Sequence, residues 1–191
     1  MYASRVTISA SASAPERIGG VALPSLDERI LRAARTRGHG PRRERAIARC
    51  SRLGEHGAVW LALGAVGWTL DPPRRPRWAR ATCTVAGTFA LNTTLKLLVR
   101  RPRPELPGLP PLTSTPTRLS FPSAHASTSF AGARAYARLG LPAAPLYALA
   151  SALACSRLYL GVHYPSDILA GAALGTLVSS FAGAASEREA Q

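Results

Sequence analysis

The sequence predicts an all-α fold: a polytopic membrane helical bundle of about five transmembrane helices, preceded by an N-terminal amphipathic interfacial helix. Three observations carry that expectation. Residues 1–52 are polar and Arg-rich, whereas much of 57–183 is Ala, Leu, Gly and Val, so a mean hydropathy of only +0.05 averages two unlike parts. The runs 142–155 and 168–185 hold no charged residue, which the solvated faces of a soluble bundle would require. Small residues recur in Ala170-Gly-Ala-Ala-Leu-Gly175 and Ala131-Gly-Ala133, and in lipid such positions let helices approach closely.

Three parts follow in chain order. Residues 1–24, dominated by Ser, Ala, Pro and Gly, read as a disordered tail. They lack the sustained apolar core of a signal peptide, and the true start could lie downstream of Met1. Residues 25–52 form a basic amphipathic interfacial segment. Ser25 followed by Glu28 is a capping box that starts a helix over 25–37. Leu26, Ile30, Leu31 and Ala34 share one face of it, bordered by Arg29, Arg32 and Arg35, and thirteen such residues are too few and too charged to span a bilayer. Residues 53–185 form the transmembrane domain, with apolar stretches at about 54–70, 81–99, 123–139, 142–157 and 166–184. Arg134 and Arg138 in the third stretch are expected to face the interface or protein. Between the second and third, residues 104–120 hold five of the sixteen prolines and read as an irregular loop over the site.

A net charge of +14 invites a nucleic-acid reading, but the Arg residues cluster at 29–52, 74–80 and 100–103, each beside an apolar run. That is the pattern of segments flanking an anionic bilayer. No nucleic-acid-binding motif is present, so no nucleic-acid partner is expected. Cys50, Cys83 and Cys155 lack metal-ligand spacing and read as small buried hydrophobes. With three Asp, seven Glu and no paired carboxylates near the histidines, neither a metal nor another cofactor is expected.

One residue stands out from the Arg-rich background. Lys96 is the sole lysine, which points to a position needing a compact ammonium rather than a planar fork. It opens Lys96-Leu-Leu-Val-Arg-Arg-Pro-Arg103-Pro104. Pro122-Ser123-Ala124-His125 follows, and then Ser156-Arg157-Leu-Tyr-Leu-Gly-Val-His163-Tyr-Pro-Ser-Asp167. Among them Lys96, Arg103, Ser123, His125, Ser156, Arg157, His163 and Asp167 supply two His, one Asp, three cations and two Ser, an inventory suited to phosphate transfer without metal.

The pattern Lys-x6-Arg-Pro, Pro-Ser-x-His, Ser-Arg-x5-His-x3-Asp resembles the type 2 phosphatidic acid phosphatase (PAP2) superfamily over residues 96–167. One departure is Ala124, where many members have Gly. The backbone N–H survives that change, so it bears on local backbone freedom rather than on phosphate binding. The resemblance implies a membrane-embedded phosphatase acting through a phosphohistidine. His163 would be the nucleophile, Asp167 the group that fixes its tautomer, and His125 the general acid. Lys96, Arg103 and Arg157 would neutralise the phosphoryl oxygens. Ser123 would cap the third membrane helix, its hydroxyl joining the N–H groups of Ala124 and His125 in an anion site. Arg100 and Arg101 read as interfacial headgroup contacts, His56 as a rim residue and His39 as solvent-exposed.

Small size, five spans and Arg-rich composition are similar to actinobacterial members, among them a branch acting on decaprenylphosphoryl-5-phosphoribose phosphate, a cell-wall arabinan precursor. Undecaprenyl or decaprenyl diphosphate, phosphatidic acid and phosphatidylglycerophosphate remain alternative substrates, because the motifs read the phosphate and not the tail. Two other classes compete: a vanadium haloperoxidase-like enzyme, whose matching His ligates vanadate, and a non-catalytic membrane scaffold. The implied partners are a lipid phosphate and the bilayer of the cell membrane. Nine Arg in 29–52 against four in 74–80 place the N-terminus, and with it the site, on the cytoplasmic face.

Overall fold

The computed structural model describes residues 17–18, 21–22 and 25–188, with side chains from 25 to 184. Apart from two short strands, β1 (Arg17–Ile18) and β2 (Val21–Ala22), which pair antiparallel, the expected disordered tail lies outside the described residues. The remaining regular elements of the described chain are helices. In order come α1 (Leu26–Thr36), α2 (Pro41–Arg52), α3 (Ala58–Leu70), α4 (Arg75–Val99), α5 (Ala124–Ala137), α6 (Ala143–Tyr159) and α7 (Pro165–Arg188). Single 3-10 turns at Glu55–Gly57 and Pro72–Arg74 lead into α3 and α4.

The capping box at α1 is formed as expected. Glu28 N donates to Ser25 Oγ at 3.2 Å, and Ser25 N donates to Glu28 Oε2 at 3.1 Å. Its apolar face is split, however. Leu31 and Arg35 turn inward, while Leu26 and Ile30 are exposed. The sequence reading had no second helix here, yet Pro41 in the first turn, Glu44 beside it and Arg49 and Arg52 in the last turn are all helix signals.

The five apolar stretches map onto α3 to α7. Helix α5 is the hub and packs against α4, α6 and α7. Its Ala, Ser, Thr and Gly residues are buried on almost every side, so its backbone lies close to its neighbours. A Cβ at Gly171 of α7 would stand 2.6 Å from the Ser123 carbonyl. On α4, Trp78, Ala81, Val85, Thr88, Asn92 and Lys96 recur at helical spacing as one buried stripe. Trp60, Trp78, Val85, Tyr136, Leu146 and Leu153 fill the main core at the end of that stripe away from Lys96. Among the described helices one, Pro165–Ala184 of α7, is both long and apolar enough to cross a membrane by itself. Large apolar side chains face outward on α3 (Leu70), α4 (Leu97, Leu98) and α7 (Leu169, Leu177, Phe181). Cys50, Cys83 and Cys155 are exposed, against the expectation that they were buried. Arg138 does turn to protein, donating through Nη1 to the Ser179 carbonyl of α7.

Candidate active site

Four helix ends and two loops meet at one end of the bundle. Helix α4 stops at Arg100, whose left-handed conformation (φ 55°) closes the helix through a bond from its N–H to Lys96 O. That turn sends the chain back over the bundle, leaving Arg100 exposed and carrying Arg101 and Arg103 toward the turn between α6 and α7. The loop that follows is clamped at its base. Pro102 bridges to Leu119, Arg103 N donates to Arg118 O, and Ser120 N donates to Arg101 O. Farther out, Leu112 N donates to Leu160 O, so the proline-rich loop packs on the segment before His163.

His163 sits in that segment, 3% exposed. Arg103 Nη1 lies 3.1 Å from its Nε2 and donates also to Val162 O at 2.7 Å. A guanidinium has no acceptor, so Nε2 holds a lone pair and the ring proton is on Nδ1. Nδ1 in turn lies 3.4 Å from Asp167 Oδ2, an ion-pair distance longer than a good hydrogen bond. Burial, aided by the Arg103 and Arg157 charges and opposed by Asp167, pushes the imidazole down to about 4, so it is neutral at pH 7. Burial also lowers Arg103, to about 10, which leaves it charged. Gly161, at φ 76°, makes the turn two residues earlier, and a Cβ there would stand 2.6 Å from Arg35 Nε.

Asp167, fully buried in the first turn of α7, is held from three sides. Tyr164 N donates to Oδ2 at 2.9 Å, Arg101 Nη1 to Oδ1 at 2.8 Å, and His163 faces Oδ2. Arg101 is therefore no headgroup contact. Its Nη2 donates to Asp27 Oδ2 of α1 at 2.8 Å, its plane lies 4.1 Å over the Tyr164 ring, and Ser166 donates to the same Asp27. Sequence reasoning missed both Arg101 and Asp27. The signal available for Asp27 was its rarity, as one of three aspartates in a basic chain.

Lys96 is buried at the end of the α4 stripe, and its Nζ donates to Pro122 O at 3.0 Å, Ser120 O at 3.2 Å and Leu119 O at 3.4 Å. These donors secure the loop entering α5. Ser123 occupies the N-cap position of α5, but its side chain does not cap. Its Oγ is buried without a partner, while its N–H donates to the Asp167 carbonyl at 2.9 Å. Ala124 and His125 open the helix, placing their N–H groups at its positive end. His125 Nε2 meets Ser51 O of α2 at 3.0 Å, and Arg157 Nη1 donates to Ser51 Oγ at 2.8 Å.

The remaining histidines lie apart from this cluster. His56 is exposed and packs edge-on against Phe89. His39 is not solvated as expected; it stacks on Tyr159 at 4.0 Å and bonds Glu44 and Ala34 O.

Residues 77–188 match the PAP2 superfamily, and this span takes in Lys96, Arg103, Ser123, His125, Arg157, His163 and Asp167. The chain belongs to the PAP2 superfamily. PAP2 relatives include the decaprenylphosphoryl-5-phosphoribose phosphatase of Mycobacterium tuberculosis, 42% identical over 68% of this chain and 73% of the relative. The Mycolicibacterium smegmatis protein of the same name is 43% identical over 63% of this chain and 67% of its own length. Two solved structures share the fold. Aquifex aeolicus LpxE superposes with a TM-score of 0.71 at 24% identity, covering 83% of this chain and 94% of LpxE. A transmembrane phosphatidylglycerolphosphate phosphatase of Bacillus subtilis gives 0.67 at 24% identity, covering 85% of each chain. Membership of this family makes the chain a phosphatase.

Proposed function

We propose that the chain hydrolyses a lipid-borne phosphate monoester in two steps through His163. In the first step Nε2 attacks phosphorus, the P–N bond forms and the P–O bond to the lipid breaks. His125 gives the departing oxygen its proton. In the second, His125 takes a proton from water, whose oxygen bonds to phosphorus as the P–N bond breaks and inorganic phosphate leaves. Asp167 stabilises the imidazolium that develops at His163. Arg103, Arg157, the unpartnered Ser123 hydroxyl and the N-terminus of α5 surround the phosphoryl oxygens, with Lys96 adding charge from behind.

The observation that carries this reading is the bond from Arg103 to Nε2. It marks the nitrogen whose lone pair faces the cations, while Nδ1 faces Asp167. A phosphate entering there would take over the guanidinium and present phosphorus to the freed lone pair. His163→Ala should abolish both turnover and an acid-labile phosphoenzyme, and substantial turnover by the folded variant would overturn the mechanism.

The substrate is polyprenyl-linked, with decaprenylphosphoryl-5-phosphoribose phosphate the best-supported member. The support is the name shared by relatives at 42–43% identity. A panel of purified lipid phosphates tests it directly, with phosphatidic acid and polyprenyl diphosphate as the competitors. The enzyme sits in the cell membrane with α3 to α7 as five spans, several of them short, and α1 and α2 at the interface. Outward apolar side chains on α3, α4 and α7 support that placement. All the site segments lie at one end of the bundle, and the excess of Arg in 29–52 favours the cytoplasmic face for that end.

A further inference from the structure

Ser51 ends the last turn of α2, well before the residues that match the family, and is 2% exposed. Three residues of the site region converge on it. Its carbonyl oxygen lies 3.0 Å from His125 Nε2, and its hydroxyl accepts from Arg157 Nη1 at 2.8 Å and pairs with Ser156 Oγ at 3.0 Å. A backbone carbonyl can only accept, so His125 Nε2 carries a proton in every charge state that keeps this contact. The nitrogen left to exchange a proton is Nδ1.

A second observation marks the same corner. Gly54 follows in the turn out of α2, and a Cβ on it would stand 2.7 Å from His125 Cδ2, the ring carbon bonded to Nε2. Its φ of −89° is open to any residue, so glycine is needed there for space and not for conformation. The Nε2–Cδ2 edge of the imidazole thus meets a carbonyl and is given clearance by a missing side chain.

We infer that the Ser51–Gly54 corner is the positioning element of the proton donor: its carbonyl fixes the tautomer and tilt of His125 so that Nδ1 faces the leaving oxygen. Its hydroxyl sets Arg157 at the same time. The inference rests on the general-acid role proposed for His125. It assigns a catalytic orienting function to an N-terminal segment that reads from sequence as a membrane-surface anchor.

The test uses the full chain in detergent micelles with two substrates. A long-chain alkyl phosphate has a leaving alkoxide that needs a proton; p-nitrophenyl phosphate has a leaving group that departs without one. Gly54→Ala should lower kcat/KM for the alkyl ester by about 100-fold, the lower end of what general acid catalysis contributes, and that for the aryl ester by less than about tenfold. A merely structural defect would lower both alike. His125→Ala must show the same split. If it does while Gly54→Ala lowers both esters equally or neither, the corner has no orienting role although the acid assignment stands. If His125→Ala itself shows no split, the acid role falls and the inference falls with it. Ser51→Ala keeps the carbonyl but removes the hydroxyl, so it should preserve the ratio between esters and weaken vanadate inhibition several-fold through Arg157. Unchanged vanadate inhibition would overturn that half, whether or not Gly54→Ala folds.

Discussion

Replacing Arg101 by Gln separates two readings of one residue. As a headgroup contact it would affect lipid binding. As the guanidinium that bonds Asp167 at 2.8 Å and Asp27 at 2.8 Å, it would affect the nucleophile's partner instead. Gln retains a donor but neither the charge nor the fork, so the buried Asp167 loses a charge-assisted hydrogen bond of ~1.5–3 kcal/mol. Arg101 is 30% exposed, and solvent screening moves the loss toward the lower part of that range. A loss of ~1.5–2.2 kcal/mol felt in the transition state corresponds to roughly 10–40-fold in kcat. KM should stay put, because Arg101 points at carboxylates and not at the phosphate position. Phosphate release from lipid phosphate in mixed micelles, with the surface fraction of substrate varied, separates kcat from KM. Asp27→Asn should act in the same direction and more mildly. A raised KM with kcat intact would return Arg101 to the membrane surface and refute the argument.

Lys96→Arg should lower kcat/KM about tenfold or more, since a planar fork cannot serve the carbonyls of Leu119, Ser120 and Pro122 from one nitrogen; a fully active variant would leave the lone lysine without a special role. His163 titrates near 4 when folded, below its unfolded value of about 6.5, so the unfolded chain takes up this proton first as pH falls. Stability should therefore drop between pH 7 and 5, and His163→Asn should flatten that slope in thermal melts. Activity should survive exhaustive EDTA treatment and be inhibited by vanadate; loss on chelation, restored by Mg²⁺ or Zn²⁺, would demand a metal site. A Cys placed at the exposed Ser114, with Cys50, Cys83 and Cys155 replaced, should resist a membrane-impermeant thiol reagent in intact cells. Strong labelling would put the site on the outer face and favour a polyprenyl diphosphate substrate.

The helices and the residues gathered at the site were legible for different reasons. His163 and Asp167 are four apart across a Pro165 that starts a helix, and local chemistry alone brings them together. Lys96 is readable because it is the sole lysine of an Arg-rich chain, and the structure sets it at the end of the buried α4 stripe. Ser51 was not readable, because its carbonyl is a group every residue carries and only the tertiary fold aims it. Arg101 was misread by position: it lies among other Arg residues at a helix end, and nothing local tells a paired arginine from a solvated one. Cys83 and Cys155 failed for a third reason: an apolar run can carry apolar residues on both faces of its helix, so hydrophobicity cannot distinguish inside from outside.

The clamp at the base of the proline-rich loop separates two kinds of variation. Pro102, Arg103, Arg118 and Ser120 close it next to His163, and the span between them is held mainly through Pro110 and Leu112. Once the base is fixed, doubling the length of such a loop costs only about 0.6 kcal/mol in closure entropy. Insertions and exchanges outside the clamp can therefore accumulate without moving Arg103 relative to His163. Change can gather at the tip while the chemistry at the base stays constant, and a chimaera joined at Arg103 and Arg118 would carry a new tip onto an unchanged reaction centre.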